Sequence, residues 1–276
     1  MNLASVRSIR RWGSPKAQIS PRTLSACSLC CADAVPRTTR VATLVRASMR
    51  EDGAVPHLEA RAVSASIDSE VLLAPVSLTV KPGTALAVQG RNGSGKTTLL
   101  RILSGQLQPT DGQALLDGHP IDERNRGARR AISARIGLPA FARELTAHEH
   151  LRFIATTWGR TGSTATDAAD ATMKALGITE LRNRFVNELS SGQTQLLSVA
   201  TALVRPFDVL VVDEPEQRLD AHRRDLVVAA LSAQIDRGAS VVFASHNADM
   251  VHSIADTTIT LGEQLGEQLG EQLGEQ

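Results

Sequence analysis

The chain of 276 residues has no tyrosine, no cysteine after Cys31 and no long run of apolar residues. Each absence excludes something. The three cysteines, Cys27, Cys30 and Cys31, all lie near the start, so disulfides hold nothing together in the remaining sequence. Their Cys-x-x-Cys-Cys spacing is half of a metal site. No second cysteine pair completes it and the nearest histidine is His57, so stray thiols are the better reading. Apolar runs such as Val209–Val212 are far short of the roughly 20 residues that cross a bilayer, so any membrane role is expected to come through a partner. Strong net charge is also missing. The total is +1, but residues 1–50 carry nine basic residues against the single acid Asp33, leaving the rest mildly acidic. A nucleic-acid partner needs a basic folded domain, and none is expected here.

Hydrophobic residues make up 42% of the chain and charged ones 21%, enough apolar mass for a core of one large domain or two small ones. Residues 1–56 form a basic leader rich in Arg, Ser, Ala and Pro, without apolar period, and are expected to be disordered. The leader lacks the apolar stretch of a secretory signal, while its composition also fits an organelle transit peptide. Met49 is a candidate true start. Between residues 57 and 261, strand signals near 59–65, 76–80, 85–89, 113–116, 134–138, 208–213, 240–244 and 257–261 alternate with helical ones. The helices are expected near 96–104, 146–158, 166–176, 190–204, 220–236 and 247–254. Such alternation predicts an α/β fold, a largely parallel sheet covered on both faces. The stretch of about 141–189 has little strand signal and reads as a helical insertion. Residues 262–276 continue a fourfold Leu-Gly-Glu-Gln repeat, whose glycines each cost a helix about 1 kcal/mol. That tail reads as disordered, with a weak interaction helix as the alternative.

Gly90-Arg91-Asn92-Gly93-Ser94-Gly95-Lys96-Thr97-Thr98 fits the phosphate-binding loop pattern. Glycines let backbone N–H groups turn inward around an anion. Lys96 supplies a point charge for β- and γ-phosphates, and Thr97 a hydroxyl for Mg²⁺. Ala85–Val88 precedes the loop as a buried strand. A helix follows, whose N-terminus attracts anions.

Further along stand Leu189-Ser190-Ser191-Gly192-Gln193, then Val209–Val212 followed by Asp213-Glu214-Pro215, then Val241–Ala244 followed by Ser245-His246. An acid like Asp213 at a strand end can hold a Mg²⁺ shell, and Glu214 can orient or deprotonate an attacking water. Ser190 and Gln193 make a capping box that opens a helix, and Thr146 with Glu149 makes another, purely structural one. In this order the motifs resemble the ATP-binding subunit of ABC transporters, over roughly residues 58–261. The resemblance implies a P-loop NTPase fold of ABC type, with a mostly parallel central sheet, an antiparallel β subdomain and a helical insertion. It also implies ATP and Mg²⁺ as cofactors, held by residues 90–98 and Asp213, with Glu214 and the switch histidine His246 catalytic. Ser190, Ser191, Gly192 and Gln193 would face ATP held by a second ATP-binding subunit, identical or not, with Asp220 closing the intervening loop.

The chain departs from that family in three places. A glutamine that touches Mg²⁺ and couples to the membrane subunit is usual near Ala140, yet none occurs between Gln113 and Gln193. Ile67 stands where an aromatic residue normally stacks on adenine. In the loop after Glu214, Glu216-Gln217-Arg218 is unusual and only Leu219 and Asp220 keep the customary end. Apart from these three, Ser191 in place of a glycine is a mild change within the signature. The resemblance thus implies an ATPase on the inner face of the plasma membrane that drives separate permease subunits. A nucleotide-sensing subunit with weak turnover and a soluble ABC-type ATPase outside transport remain as alternatives.

Overall fold

The computed structural model describes residues 57–262 apart from Ser69 and Glu123. The leader 1–56 with Met49 and the three cysteines, and the repeat tail from 263 on, lie outside the described residues.

Two sheets make the frame. Strands β1 (Leu58–Ile67), β2 (Glu70–Val80), β4 (Asp111–Leu116) and β5 (His119–Pro120) form an antiparallel sheet in the order β2-β1-β4-β5. Strands β3 (Ala85–Gly90), β6 (Ile132–Arg135), β7 (Val209–Asp213), β8 (Ser240–Ala244) and β9 (Thr257–Leu261) form a parallel sheet in the order β6-β7-β8-β3-β9. The central strands are apolar at nearly every position because a parallel sheet is buried on both faces. Period-two alternation sorts their side chains between two cores. Leu86, Val88, Val209, Val211, Val242 and Ala244 point to one side, where helix α1 (Lys96–Leu103) and the antiparallel sheet cover them. Ala85, Ala87, Leu210, Val212, Val241 and Phe243 point to the other. There they meet α5 (Ser191–Leu203), α6 (Ala221–Ile235) and α7 (Ala248–Ile254).

Residues 141–189 contain α3 (Ala147–Thr157), α4 (Gly162–Ala175) and two short 3₁₀ turns, joined to the second core through Leu151, Ala155, Ala169 and Met173. Thr146 opens α3 with a capping box. Its Oγ1 accepts from the Glu149 amide at 3.3 Å, and Glu149 Oε2 accepts from the Thr146 amide at 2.9 Å.

The fold class is the one expected from the sequence, and several local features differ. Strand β2 begins at Glu70 rather than near 76, because the paired residues 70–73 alternate too weakly to mark a strand. Strand β6 starts at Ile132 and ends at Arg135, earlier than the expected 134–138. Its polar residues, Ser133 and Arg135, are satisfied by buried partners and so sit inside a strand that a hydrophobic pattern does not mark. Helix α2 (Arg126–Ala131), capped by Asn125 Oδ1 on the Gly127 amide at 2.8 Å, is too short to show a period. The two-residue β5 closes a hairpin through Asp117-Gly118.

Candidate functional site

The phosphate loop is made where β3 stops and α1 starts. Gly95 lies at φ +92°, and a Cβ there would sit 2.6 Å from the Leu72 carbonyl oxygen and 2.9 Å from Leu73 Cδ1. The loop is thus wedged against β2, and only glycine fits. At Gly90, φ is +143° and a Cβ would meet Leu261 O of β9 at 2.7 Å. Arg91, Asn92 and Gly93 form the exposed rim, with Thr98 half-buried behind them. Lys96 lies across the loop, its Nζ donating to the carbonyls of Gly90 at 2.9 Å and Arg91 at 3.1 Å. Ser94 Oγ is buried without a hydrogen-bond partner among the described residues. A lysine, an unpaired hydroxyl and a helix N-terminus together suit an anion such as a polyphosphate.

The end of β7 meets this loop. Thr97 Oγ1 donates to Asp213 Oδ2 at 2.8 Å, although 116 residues separate them. A hydroxyl and a carboxylate in contact are the hard oxygen donors that Mg²⁺ takes alongside phosphate oxygens. The donor set fits that ion, and Thr97 with Asp213 would hold it. When bound, it neutralises phosphate charge.

Glu214 follows in a left-handed backbone conformation, φ +45°. For a residue with a Cβ this costs on the order of 1–2 kcal/mol and persists only where the surroundings dictate it. Here they do. The Glu214 amide donates to Ala244 O at 3.0 Å, while its carbonyl accepts from Gln195 Nε2 at 3.0 Å and from the Gln217 amide at 3.2 Å. Its carboxylate Oε1 stands 3.3 Å from His246 Nε2. Glu214, Glu216, Gln217, His246 and Asn247 line an open cleft of about 280 Å³.

A buried network behind the cleft fixes this strand end. Arg135 on β6, 6% exposed, donates through Nε to Ser198 Oγ at 2.8 Å and through Nη2 to Gln195 Oε1 at 2.7 Å. Its Nη1 donates to the Asp213 carbonyl. Gln195 passes the connection on to the carbonyls of Glu214 and Pro215. Burial pushes the Arg135 guanidinium down from its ordinary pKa, while Asp213, Glu216 and Glu214 oppose the shift. The loop beyond is pinned as well. Glu216 Oε1 accepts from Ser245 Oγ and, at 3.3 Å, from the His246 amide.

The signature stands apart. Ser190 Oγ accepts from the Gln193 amide at 3.3 Å and Gln193 Oε1 from the Ser190 amide at 2.9 Å, so the expected capping box opens α5. Ser191 forms the first turn. A Cβ at Gly192 would lie 3.1 Å from the Arg218 carbonyl, so this end of α5 lies against the loop after Glu214. Asp220 caps α6, its Oδ1 accepting from the Arg223 amide at 2.8 Å. The structure therefore brings residues 90–98, Asp213, Glu214 and His246 together at the carboxyl ends of the interior strands β3, β7 and β8. Among the described residues, no hydrogen bond or ion pair links Ser190–Gln193 to that group. Sequence reasoning missed Arg135, Gln195 and Ser198. A charge in a short strand between Ala134 and Ile136 was the one available signal.

Comparison with known proteins agrees with this geometry. A family model described as ABC transporter matches residues 73–217. The cytochrome c biogenesis ATP-binding export protein CcmA of Xanthomonas campestris is 33% identical over 209 residues, 75% of this chain and 95% of the relative. The Fe(3+) ions import ATP-binding protein FbpC of Brucella melitensis is 35% identical over 189 residues, 68% of this chain and 53% of the relative. Among solved structures, an ATP binding subunit of an ABC transporter superposes with a TM-score of 0.68 at 22% identity, covering 77% of this chain and 93% of that one. A dimeric bacterial ABC transporter cassette gives 0.67 at 23% identity, covering 74% and 94%.

Proposed function

The chain belongs to the ABC transporter family, and we propose that it is the ATP-hydrolysing subunit of a composite motor that energises a separate membrane permease. The observation that carries this reading is the Thr97–Asp213 bond with Glu214 and His246 beside it. It sets an acid for the metal and an acid for water at the open end of a phosphate loop.

In this reading the amides and Lys96 of residues 90–98 bind the phosphates. Thr97 and Asp213 hold Mg²⁺. Glu214 accepts the proton of the attacking water or orients it, and His246 holds the same carboxylate from the next strand. Ser190–Gln193 present a capped helix N-terminus to the ATP of a second subunit, with Asp220 in the loop between the two sites. That no hydrogen bond or ion pair among the described residues ties Ser190–Gln193 to this chain's own Asp213, Glu214 and His246 supports that division, in which one chain supplies two halves of different sites.

Among the described residues no helix is long and apolar enough to cross a membrane; in this reading the permease is a separate chain. The face offered to it is a groove of about 330 Å³ between residues 139–142 and α3, with Phe141, Leu145, Phe153 and Ile154 in its lining. Phe153 is 60% exposed and nearby Leu138 51%, an apolar surface that a partner would cover. The similar proteins include one named for export and one named for import, so direction and cargo belong to the permease. We place the subunit on the cytoplasmic face of the plasma membrane. The absence of a glutamine near Ala140 favours, as a second reading, a nucleotide sensor with slow turnover.

Hydrolysis of MgATP by the wild type and by Glu214→Gln, each with the permease, separates the two. The proposal expects a fall of about 100-fold or more in kcat, the lower end of what a general base contributes. Equal rates in the two proteins would sink it.

A further inference from the structure

Glu214, Pro215, Glu216 and Gln217 form a single turn. Proline occupies its second position, and the Gln217 amide closes it on the Glu214 carbonyl at 3.2 Å. Because the turn returns on itself, the two side chains at its ends run side by side. Gln217 Nε2 donates to Glu214 Oε2 at 2.9 Å. His246 takes the other oxygen, Oε1, at 3.3 Å. The carboxylate is therefore held from two sides, by its own loop and by the end of β8.

The other carboxamides near the cleft are already committed. Gln195 is buried and spans Arg135 and the carbonyls of Glu214 and Pro215. Asn247 caps α7 through Oδ1 on the Met250 amide at 2.8 Å. Gln217 is exposed and lines the cleft. After donating one N–H to Glu214 it keeps a second N–H and a carbonyl oxygen for water. The segment 139–142 offers no carboxamide at all.

We propose that Gln217 is the positioning residue for the Glu214 carboxylate. The loop after Glu214 thereby keeps the base aimed at the attacking water. The proposal rests on the reading of Glu214 as the residue that directs that water. The shared carboxylate has about four acceptor positions, so the bonds to Gln217 and His246 still leave lone pairs for water.

The test uses the full chain with Gln217→Ala and with Gln217→Glu, which keeps the shape but replaces the donor by a like charge. Both are expected to lower kcat about tenfold, since a small misplacement of a reacting group costs up to about 100-fold, and to leave KM for ATP within about twofold. In a Glu214→Gln background the Gln217→Ala change is expected to add less than about twofold, the signature of action through one partner. Equal losses in both backgrounds, or a rise in KM alone, would overturn the proposal. A second readout needs no turnover. In the nucleotide-free protein the Gln217 side-chain amide resonance, recognised by its loss in Gln217→Ala, should move when Glu214 is changed to Ala. A resonance that stays in place refutes the pairing even if the wild type hydrolyses ATP. Absence of hydrolysis by the wild type, with a resonance that moves, overturns the ATPase reading and the positioning role that depends on it, while the pairing stands.

Discussion

Arg135 donates to the backbone carbonyl of Asp213 from the neighbouring strand, beneath the point where Asp213 turns its carboxylate to Thr97. One buried cation thus fixes the direction in which the strand end leaves the sheet. The same guanidinium reaches Ser198 and Gln195 on the helix that starts with the signature. The strand end that carries Asp213 and the helix that starts at Ser191 are joined through one side chain.

Changing Arg135 to Met keeps the volume and removes three hydrogen bonds. Gln195 Oε1 and the Asp213 carbonyl are left buried and unpaired, each at a cost of about 1–3 kcal/mol. We expect a loss of about 2–5 kcal/mol in urea unfolding, together with weaker magnesium dependence of ATP binding. A variant as stable as the wild type would show that the network is dispensable.

Ile67 ends β1 with 59% of its surface exposed, on the hairpin whose second strand packs against Gly95 at Leu72. If ATP binds as proposed, an adenine extending from the phosphate loop toward this hairpin would meet an aliphatic side chain. Ile67→Trp should tighten ATP binding by about 1–3 kcal/mol, the worth of stacking one base on a ring, and leave inorganic triphosphate unaffected. Calorimetric titration with both ligands checks this. Equal gains for both would place the effect elsewhere.

The helical segment carries a pH-dependent element. His148 on α3 is buried, with Nε2 3.0 Å from Asp170 Oδ1, and Asp170 is also paired with Arg182. Burial, and then the charges of Arg182 and Arg152, push its pKa below the ordinary value, against a smaller opposing pull from Glu149. The folded protein therefore binds this proton less readily than the unfolded chain does. Stability from this site is complete above the unfolded pKa of about 6.5 and declines as pH falls below it. In unfolding experiments between pH 7.5 and 5, His148→Gln should lose stability less steeply than the wild type. Parallel profiles would exclude the assignment.

Much of this arrangement was legible in the sequence, for reasons that differ by element. Val209–Val212 could only be an interior parallel strand, and the alternation of Leu86 and Val88 with Ala85 and Ala87 follows from the pleat. Ser190 and Gln193 announced the start of α5 because capping chemistry is local. What escaped was non-local. Arg135 finds partners 60, 63 and 78 residues away, and nothing in its neighbourhood names them. β1 was foreseen, but its shifts of register around Val63 were not, since they depend on Ala62 taking a positive φ of 47°. Gln217 was noted only as unusual. Its partner is three residues away, but the bond depends on the turn that Pro215 begins and on the left-handed backbone of Glu214.

The central claim is that this chain supplies two halves of different ATP sites and that Glu214 empties them. Sedimentation of Glu214→Gln with MgATP, with bound nucleotide counted, tests it most directly. The account predicts a species of twice the monomer mass holding two unhydrolysed ATP molecules, falling apart when Ser190 is changed to Arg. A chain that binds ATP but pairs neither with itself nor with a second ATP-binding subunit, or a dimer that hydrolyses it at the wild-type rate, would contradict the account.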